Sequence, residues 1–308
     1  MKPVEKDLRV GALIRFSIAI TVLNIFGHFY LGFEAAWAHP LAALATTYST
    51  DLLFEYLSAK KNNFKPRFLG SFKNFVLFLL PAHISGMATS MLLFANKDLM
   101  PVVFASALAM LSKVFFRVGD GRLSKHFLNP SNTGIAITLI LFPWVGIAPP
   151  YQFTESTFGI TDWILPCVFV CVGSLLNTKF TKRMPLILAW FGGFALQAII
   201  RSLITGGSLA AMLNPMTGVA FLLFSFYMVS DPATTPSKLK NQIWFGAMVG
   251  LVYGILVYNE IVFGQFFSLI LVCSARGIIL KYHLFEENYQ TLSKKIDNKE
   301  LVIEKISA

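Results

Sequence analysis

Charge is scarce in this 308-residue chain: 14% of its residues are Asp, Glu, Lys or Arg, against 55% that are hydrophobic. That balance excludes an ordinary soluble domain, where about 25% charged residues is usual. Cysteine is scarcer still. The three present, Cys167, Cys171 and Cys273, exclude a disulfide framework. Cys167 and Cys171 stand four residues apart, but an iron–sulfur cluster takes four ligands or help from a partner subunit, so all three read as ordinary buried thiols. Histidine has neither metal-ligand spacing nor a haem pair. Asn24 and His28 share one helical face, His83 lies far along the chain, and each reads as hydrogen-bonded core packing. A cleavable leader is missing as well: the first apolar run is long and has no small-residue cleavage site, so it reads as a transmembrane helix. The net charge of +10 is assigned to loops on one side of a membrane, not to nucleic-acid binding.

What is present is a succession of apolar stretches of membrane-spanning length. They fall at 11–33, 39–58, 72–95, 99–117, 130–147, 161–177, 185–205, 212–229, 243–258 and 261–281. Several are short for a hydrocarbon layer of about 30 Å, which predicts broken or tilted helices shielded by neighbours. The basic residues alternate between loops. Lys2, Lys6 and Arg9 precede the first span. Lys60, Lys61, Lys65, Arg67 and Lys73 follow the second, and Arg117, Arg122 and Lys125 the fourth. Lys179, Lys182 and Arg183 follow the sixth, and Lys238 and Lys240 the eighth. The intervening loops carry Glu34, Lys97 with Asp98, Glu155 with Asp162, and Glu260. The positive-inside rule then places the chain in the inner (plasma) membrane with both termini cytoplasmic.

The stretch from Phe127 to Trp144 sets a polar Asn129-Pro-Ser-Asn-Thr-Gly134 cluster against an uncharged run. Asn129 precedes Pro130 and is biased away from helical backbone, and Pro130 suits the first turn of a helix. The apolar run from Ile135 to Val145 is expected to continue that helix. Its N-terminus, with two carboxamides and two hydroxyls, favours anionic or electron-rich groups. Residues 230–236, Ser-Asp-Pro-Ala-Thr-Thr-Pro, fall on the same side and at similar depth. Pro81-Ala-His-Ile-Ser-Gly-Met-Ala88 and Asn214-Pro-Met-Thr-Gly-Val-Ala220 share a hydroxyl, Gly, apolar, Ala pattern five spans apart. An odd separation inverts one half against the other, a common transporter plan. The fold expected is an all-α polytopic membrane protein of about ten transmembrane helices in two inverted five-helix halves. Its divisions are an N-terminal tail (1–10), a first half (11–147), an outer loop (148–160), a second half (161–281) and a cytoplasmic tail (282–308). Pro149, Pro150, Tyr151 and Phe153 stiffen the outer loop, which also carries Thr154, Thr157 and Thr161. In the tail, Tyr289, Leu292, Ile296, Ile303 and Ile306 share a helical face, which predicts a short amphipathic helix on the membrane or on the protein.

Asp51 and Glu55, one turn apart in the second span, read either as functional intramembrane acids or as partners of Lys60, Lys61 or Lys113 at the boundary. Lys113 either snorkels to the interface or supplies positive charge to an anionic cofactor. Arg201 and Arg276 lie near helix ends and can snorkel.

At Asn129-Pro-Ser-Asn132 and at residues 230–236 the chain resembles the RnfD/NqrB family, ten-span subunits of the Rnf and sodium-pumping NADH:quinone oxidoreductase complexes. Longer stretches resemble its UnbU-type branch, associated with enediyne biosynthesis. They are Asn24-Ile-Phe-Gly-His28, Leu31-Gly-Phe-Glu34, Leu80-Pro-Ala-His83, His126-Phe-Leu-Asn-Pro-Ser-Asn132, Phe142-Pro-Trp-Val-Gly-Ile-Ala-Pro-Pro-Tyr151 and Met216-Thr-Gly-Val-Ala-Phe221. The resemblance implies a membrane electron-transfer subunit, of an oxidoreductase complex, with a flavin near the cytoplasmic face. Asn129, Asn132 and Thr133 would hold the flavin, Asp231 and Thr234 would contribute from the second half, and Lys113 would supply compensating charge. The family also carries FMN esterified to Thr in an Asp-x-x-Ser-Gly-Ala-Thr motif. No Ser-Gly-Ala-Thr occurs here, and Thr157-Phe-Gly-Ile-Thr161 stands in the outer loop instead. A non-covalent riboflavin or FMN is therefore expected, with membrane lipid around the chain and electrons relayed to a membrane or outer partner, a redox protein or a quinone. A different reading of the same inverted plan is a solute or ion channel or carrier with no redox role. The charge alternation yields a direct check: green fluorescent protein fused after Ala308 fluoresces, alkaline phosphatase fused there is inactive, and the reverse result turns the topology over.

Overall fold

The computed structural model describes residues 8–119, 124–149, 153 and 156–307, without the side chains of 8, 9, 288 and 291–307. The roles expected of Lys2, Lys6, Arg9, Arg122, Pro150, Tyr151, Thr154, Glu155 and the tail side chains Leu292, Ile296, Ile303 and Ile306 lie outside the described residues.

Among the described residues eleven α-helices follow one another. α1 (Leu8–Phe26) runs on through a π-helical turn (Gly27–Leu31), and α2 (Ala38–Lys61) and α3 (Phe72–Leu92) are the long helices of the first half. α4 (Met100–Phe115) and α5 (Pro130–Leu141) complete it. α6 (Ile164–Lys179) follows a 3-10 turn (Gly159–Trp163), and α7 (Met184–Thr205) ends at Gly206 in the left-handed region, φ 69°. α8 (Leu209–Leu213) and α9 (Val219–Leu223) form one broken segment, then come α10 (Leu239–Tyr258) and α11 (Gly264–Ser307). Proline marks several starts. Pro101, Pro130 and Pro185 occupy first turns, where a missing N–H is harmless. α5 does not continue to Val145 as expected. It stops at Leu141 because Phe142, which precedes Pro143, is forced toward extended backbone (φ −120°, ψ 86°).

Six helical segments are long and apolar enough to cross a membrane: Val10–Leu31, Phe72–Leu92, Gly159–Lys179, Met184–Thr205, Leu239–Tyr258 and Gly264–Glu287. The broken segment of α8 and α9, bent by 65°, makes a seventh if taken as one span. The ten expected spans are thus met in part, for two physical reasons. α4 and α5 are apolar but only 16 and 12 residues long. α2 is long enough but carries Asp51, Glu55, Lys60 and Lys61. The outside of the bundle is greasy: Ile18, Val22, Leu196, Leu203 and Leu251 are all at least half exposed. A surface of that kind is matched to lipid and not to water. This is a helical membrane protein.

Packing follows a pattern. α1 lies on α3, α2 on α3 and α4, and α4 on α5. α6 lies on α9, α7 on α8 and α10, and α10 on α11, while α5 meets α11. Two short ladders clip the ends. β1 (Leu93–Phe94) pairs antiparallel with β4 (Gly146–Ile147), and β2 (Arg117–Val118) with β3 (Lys125–His126). The tail is not a separate helix: α11 is continuous over 44 residues.

Two glycines permit the closest approaches of one helix backbone to another. A Cβ on Gly134 would sit 2.1 Å from the Ala105 carbonyl oxygen, locking α5 on α4, and one on Gly246 would sit 2.3 Å from the Leu186 carbonyl oxygen, locking α10 on α7. Small residues at such crossings let backbones touch where no hydrophobic effect drives helices together. Gly134→Ala should therefore lower the apparent melting temperature in detergent, with an overpacking penalty of about 1–3 kcal/mol. Gly192→Ala, where a Cβ would meet nothing within 4 Å, should leave it unchanged.

Candidate functional site

Asn129 caps α5 from extended backbone (φ −68°, ψ 123°), and its Oδ1 accepts from the Asn132 backbone N–H and the Ser131 hydroxyl, both at 3.0 Å. Its Nδ2 donates across the molecule to the Met228 carbonyl and to Asp231 Oδ2, both at 3.4 Å. Asn132 Nδ2 donates to the Phe266 carbonyl in the first turn of α11 at 3.0 Å. The Thr133 hydroxyl donates back to the Asn129 carbonyl at 2.7 Å. On the facing side, Asp231 folds its own loop. Its Oδ1 accepts from the Ala233 N–H at 3.0 Å, its Oδ2 from the Thr234 hydroxyl at 3.1 Å, and its carbonyl from the Thr235 hydroxyl at 2.6 Å.

The structure thus brings together Asn129, Asn132, Thr133, Asp231 and Thr234, from two segments about a hundred residues apart. Lys113 is elsewhere: its Nζ is 2.9 Å from Asp51 Oδ1. The cations beside the cluster are two arginines that spacing alone did not single out for it. Arg183 Nε donates to the Thr235 hydroxyl at 3.0 Å, and Arg276 Nη1 to the Thr234 carbonyl at 2.7 Å. Burial lowers the Arg183 guanidinium from its usual range; Asp231 opposes that shift and Arg276 adds to it. The signal for both was their position facing the loop at residues 230–236, which only the packing reveals. Cys273 is buried in this region, whereas Cys167 and Cys171 are exposed on α6, so that pair is not made of buried thiols.

Tested against a flavin, the cluster does not fit as a direct cradle. Asn129, Asn132, Thr133 and Thr234 are at most 6% exposed, and their polar atoms are bonded to one another. One atom is left over: Asn132 Oδ1 is buried without a hydrogen-bond partner among the described residues. The arrangement works as a clamp between α5, the loop after α9, and α11.

The space lies on the far side of that clamp. A cavity of about 740 Å³ opens where the broken segment meets the α10–α11 turn. Trp163, Phe221, Tyr253 and Phe263 supply aromatic walls, and Asn214, Thr217 and Gln265 supply neutral polar groups. Asp162 and Glu260 also line it, and among the described residues no Lys or Arg does. Gln265 precedes Phe266, the residue that Asn132 holds, so cavity and clamp share one turn of helix. The backbone of this turn is strained: Glu260 and Phe263 have φ of 60° and 61°, in the left-handed region. Of the outer-loop threonines, Thr157 donates to Asp162 Oδ1 at 2.7 Å and Thr161 to the Phe158 carbonyl at 2.7 Å, so neither hydroxyl points free into the cavity.

No protein-family model matches the chain, and no curated protein matches it.

The clamp predicts its own energetics. Asn129→Ala removes a helix cap, worth about 1 kcal/mol, together with two bonds to the facing loop. It should lower the apparent melting temperature in detergent more than Asn259→Ala, whose exposed side chain bonds only the carbonyl of Ile255.

Proposed function

We propose that the chain is a membrane electron-transfer subunit of the RnfD/NqrB kind, built of two inverted five-segment halves with both termini cytoplasmic. The repeated packing supports the halves. Shifting each first-half segment by five turns α1 on α3, α2 on α3 and α4, and α4 on α5 into the contacts of α6, α7, the broken segment, α10 and α11. Five is odd, so the second copy runs through the membrane in the opposite sense.

The observation that carries the redox reading is the cavity. Its volume of about 740 Å³ suits a small-molecule site, and flat aromatic walls with neutral hydrogen-bonding groups suit an isoalloxazine. Two carboxylates and no cation in its lining disfavour the phosphate of FMN, so the flavin that fits is riboflavin, held without a covalent bond. Phe221 and Tyr253 would stack on the ring, and Asn214, Thr217 and Gln265 would meet its polar edge. Bound there, a flavin supplies one- and two-electron transfer. The clamp at Asn129 and Asn132 then positions the α11 turn that forms the cavity floor. By the loop assignment the cavity opens on the outer side and not at the cytoplasmic face expected for the flavin, so electrons would reach it across the bundle from a cytoplasmic donor and leave to a membrane or outer partner, a redox protein or a quinone.

A second reading has its own observation. The 65° break in the α8–α9 segment beside an open cavity is also how a channel or carrier would expose a solute site.

The test is an absorbance spectrum of detergent-purified protein from flavin-rich cells, before and after acid precipitation, with chromatography of the supernatant. Riboflavin is expected at near one per chain, lost in Ala220→Trp, which fills the cavity, and retained in Gly192→Ala, which lies outside the cavity lining. No flavin, or a content that Ala220→Trp leaves unchanged in folded protein, overturns the reading. Solute flux into liposomes without flavin would establish the carrier instead.

A further inference from the structure

In α1, Ser17, Thr21, Asn24 and His28 recur at intervals of four, three and four residues, a polar stripe along an otherwise apolar helix. In α2, Tyr48, Asp51 and Glu55 recur at three and four. His83 of α3 stands between the two helices. Its Nδ1 is 2.6 Å from the Tyr48 hydroxyl and its Nε2 is 2.7 Å from the Thr21 hydroxyl. The Thr21 O–H donates to the Ser17 carbonyl at 2.7 Å. With that hydrogen committed, Thr21 accepts from Nε2–H, so Nδ1 carries the lone pair and accepts from Tyr48 O–H. One turn along α2 toward the basic loops, Asp51 pairs with Lys113 at 2.9 Å. Beyond it the buried Glu55 is held by the exposed Arg67, with contacts of 2.7 to 3.0 Å. In the other direction His28 Nδ1 lies 2.9 Å from the Asn24 carbonyl. His39, at the far end of α2, is fully buried and within electrostatic range of His28 and Asp98.

A second observation points the same way. Eight buried side-chain N or O atoms have no hydrogen-bond partner among the described residues, and five of them belong to this row: Ser17 Oγ, Asn24 Oδ1, His28 Nε2 and both nitrogens of His39. Buried polar atoms are almost always bonded to protein or to water, and water is the partner that fits a row of such atoms. The second half has no counterpart, since α6 and α7 contain no His, Asp, Glu or Tyr.

We propose that this row is a proton path across the apolar layer, from the Lys113–Asp51 pair through Tyr48, His83 and Thr21 to Asn24, His28 and His39, with water completing its gaps. Ionisable chains of this composition within a membrane are the usual means of moving protons. In the central step the Tyr48 O–H bond breaks as a bond forms from the proton to His83 Nδ1. The Nε2–H bond breaks as its proton moves to the Thr21 side, and Tyr48 regains a proton from the Asp51 side. His83 then resets by turning its ring so that the bare nitrogen again faces Tyr48 and the N–H faces the Thr21 side, a movement that carries no proton back. No charge is created in the ring over the cycle and no oxidant or reductant takes part; an imposed gradient drives it. The path lies in α1 to α4 and does not rest on the electron-transfer reading.

The test uses the full chain in liposomes loaded with pyranine, with a potassium diffusion potential set by valinomycin and no reductant present. Proton entry is expected at least tenfold above protein-free liposomes, and within twofold of protein-free liposomes for His83→Phe and Tyr48→Phe. No excess flux for the unaltered chain overturns the proposal. Tyr48→Phe removes one hydroxyl and keeps the ring, so it decides the matter if His83→Phe does not fold. A monodisperse Tyr48→Phe conducting as the unaltered chain overturns the proposal, as does a flux that follows a sodium gradient and not the pH gradient. A flavin spectrum of the same preparation reports on the electron-transfer reading separately.

Discussion

A carboxamide inside an apolar bundle has to find a partner, because an unbonded amide there is penalised by several kcal/mol, about 2–7 depending on the reference state. Asn129 and Asn132 meet that demand across the molecule, one on the Met228 carbonyl and Asp231, the other on the Phe266 carbonyl. The first forms only when α5 meets the loop after α9, the second only when α5 meets the start of α11. The interaction is short in sequence and long in consequence: it joins the first half to the second, sets the depth at which α5 begins, and holds the turn that separates the clamp from the cavity.

The sequence made much of this readable. Apolar runs and alternating basic loops placed the helices, and proline and asparagine marked the start of α5 correctly. The gathering of Asn129, Asn132, Thr133, Asp231 and Thr234 followed from putting two polar loops at one depth. Other features were hidden for physical reasons. A composition pattern does not say whether a carboxamide faces a ligand or another loop, so the mutual bonding of the cluster could not be read. Lys113 had two suitors, an acid one helix away or a cofactor, and only three-dimensional packing selects Asp51. Glu55 found Arg67, beyond the lysines nearest to it in sequence, because the chain after α2 folds back. The 65° break in the eighth segment was masked by its apolar composition, although Pro215 and Gly218 stand at it.

The helices before and after the loop at 148–160 differ in chemistry. Titratable side chains collect between α1, α2 and α3, while the second half presents aromatic rings, with Trp190 fully buried among Phe194, Phe221, Phe224 and Tyr253. The cavity draws its aromatic walls from the later helices, and its nearest carboxamide clamp joins α5 to α11.

The length of α11 has a mechanical meaning. At 1.5 Å per residue its 44 residues form a rod of about 65 Å, roughly twice the thickness of the hydrocarbon layer, about 30 Å. One end of the rod is the turn gripped by Asn132, and toward the other Phe285 and Tyr289 are mostly exposed. A body attached to the far end would act on the near end as a lever does on its fulcrum, so a tilt of the tail is delivered as torque at the cavity floor without any intervening joint.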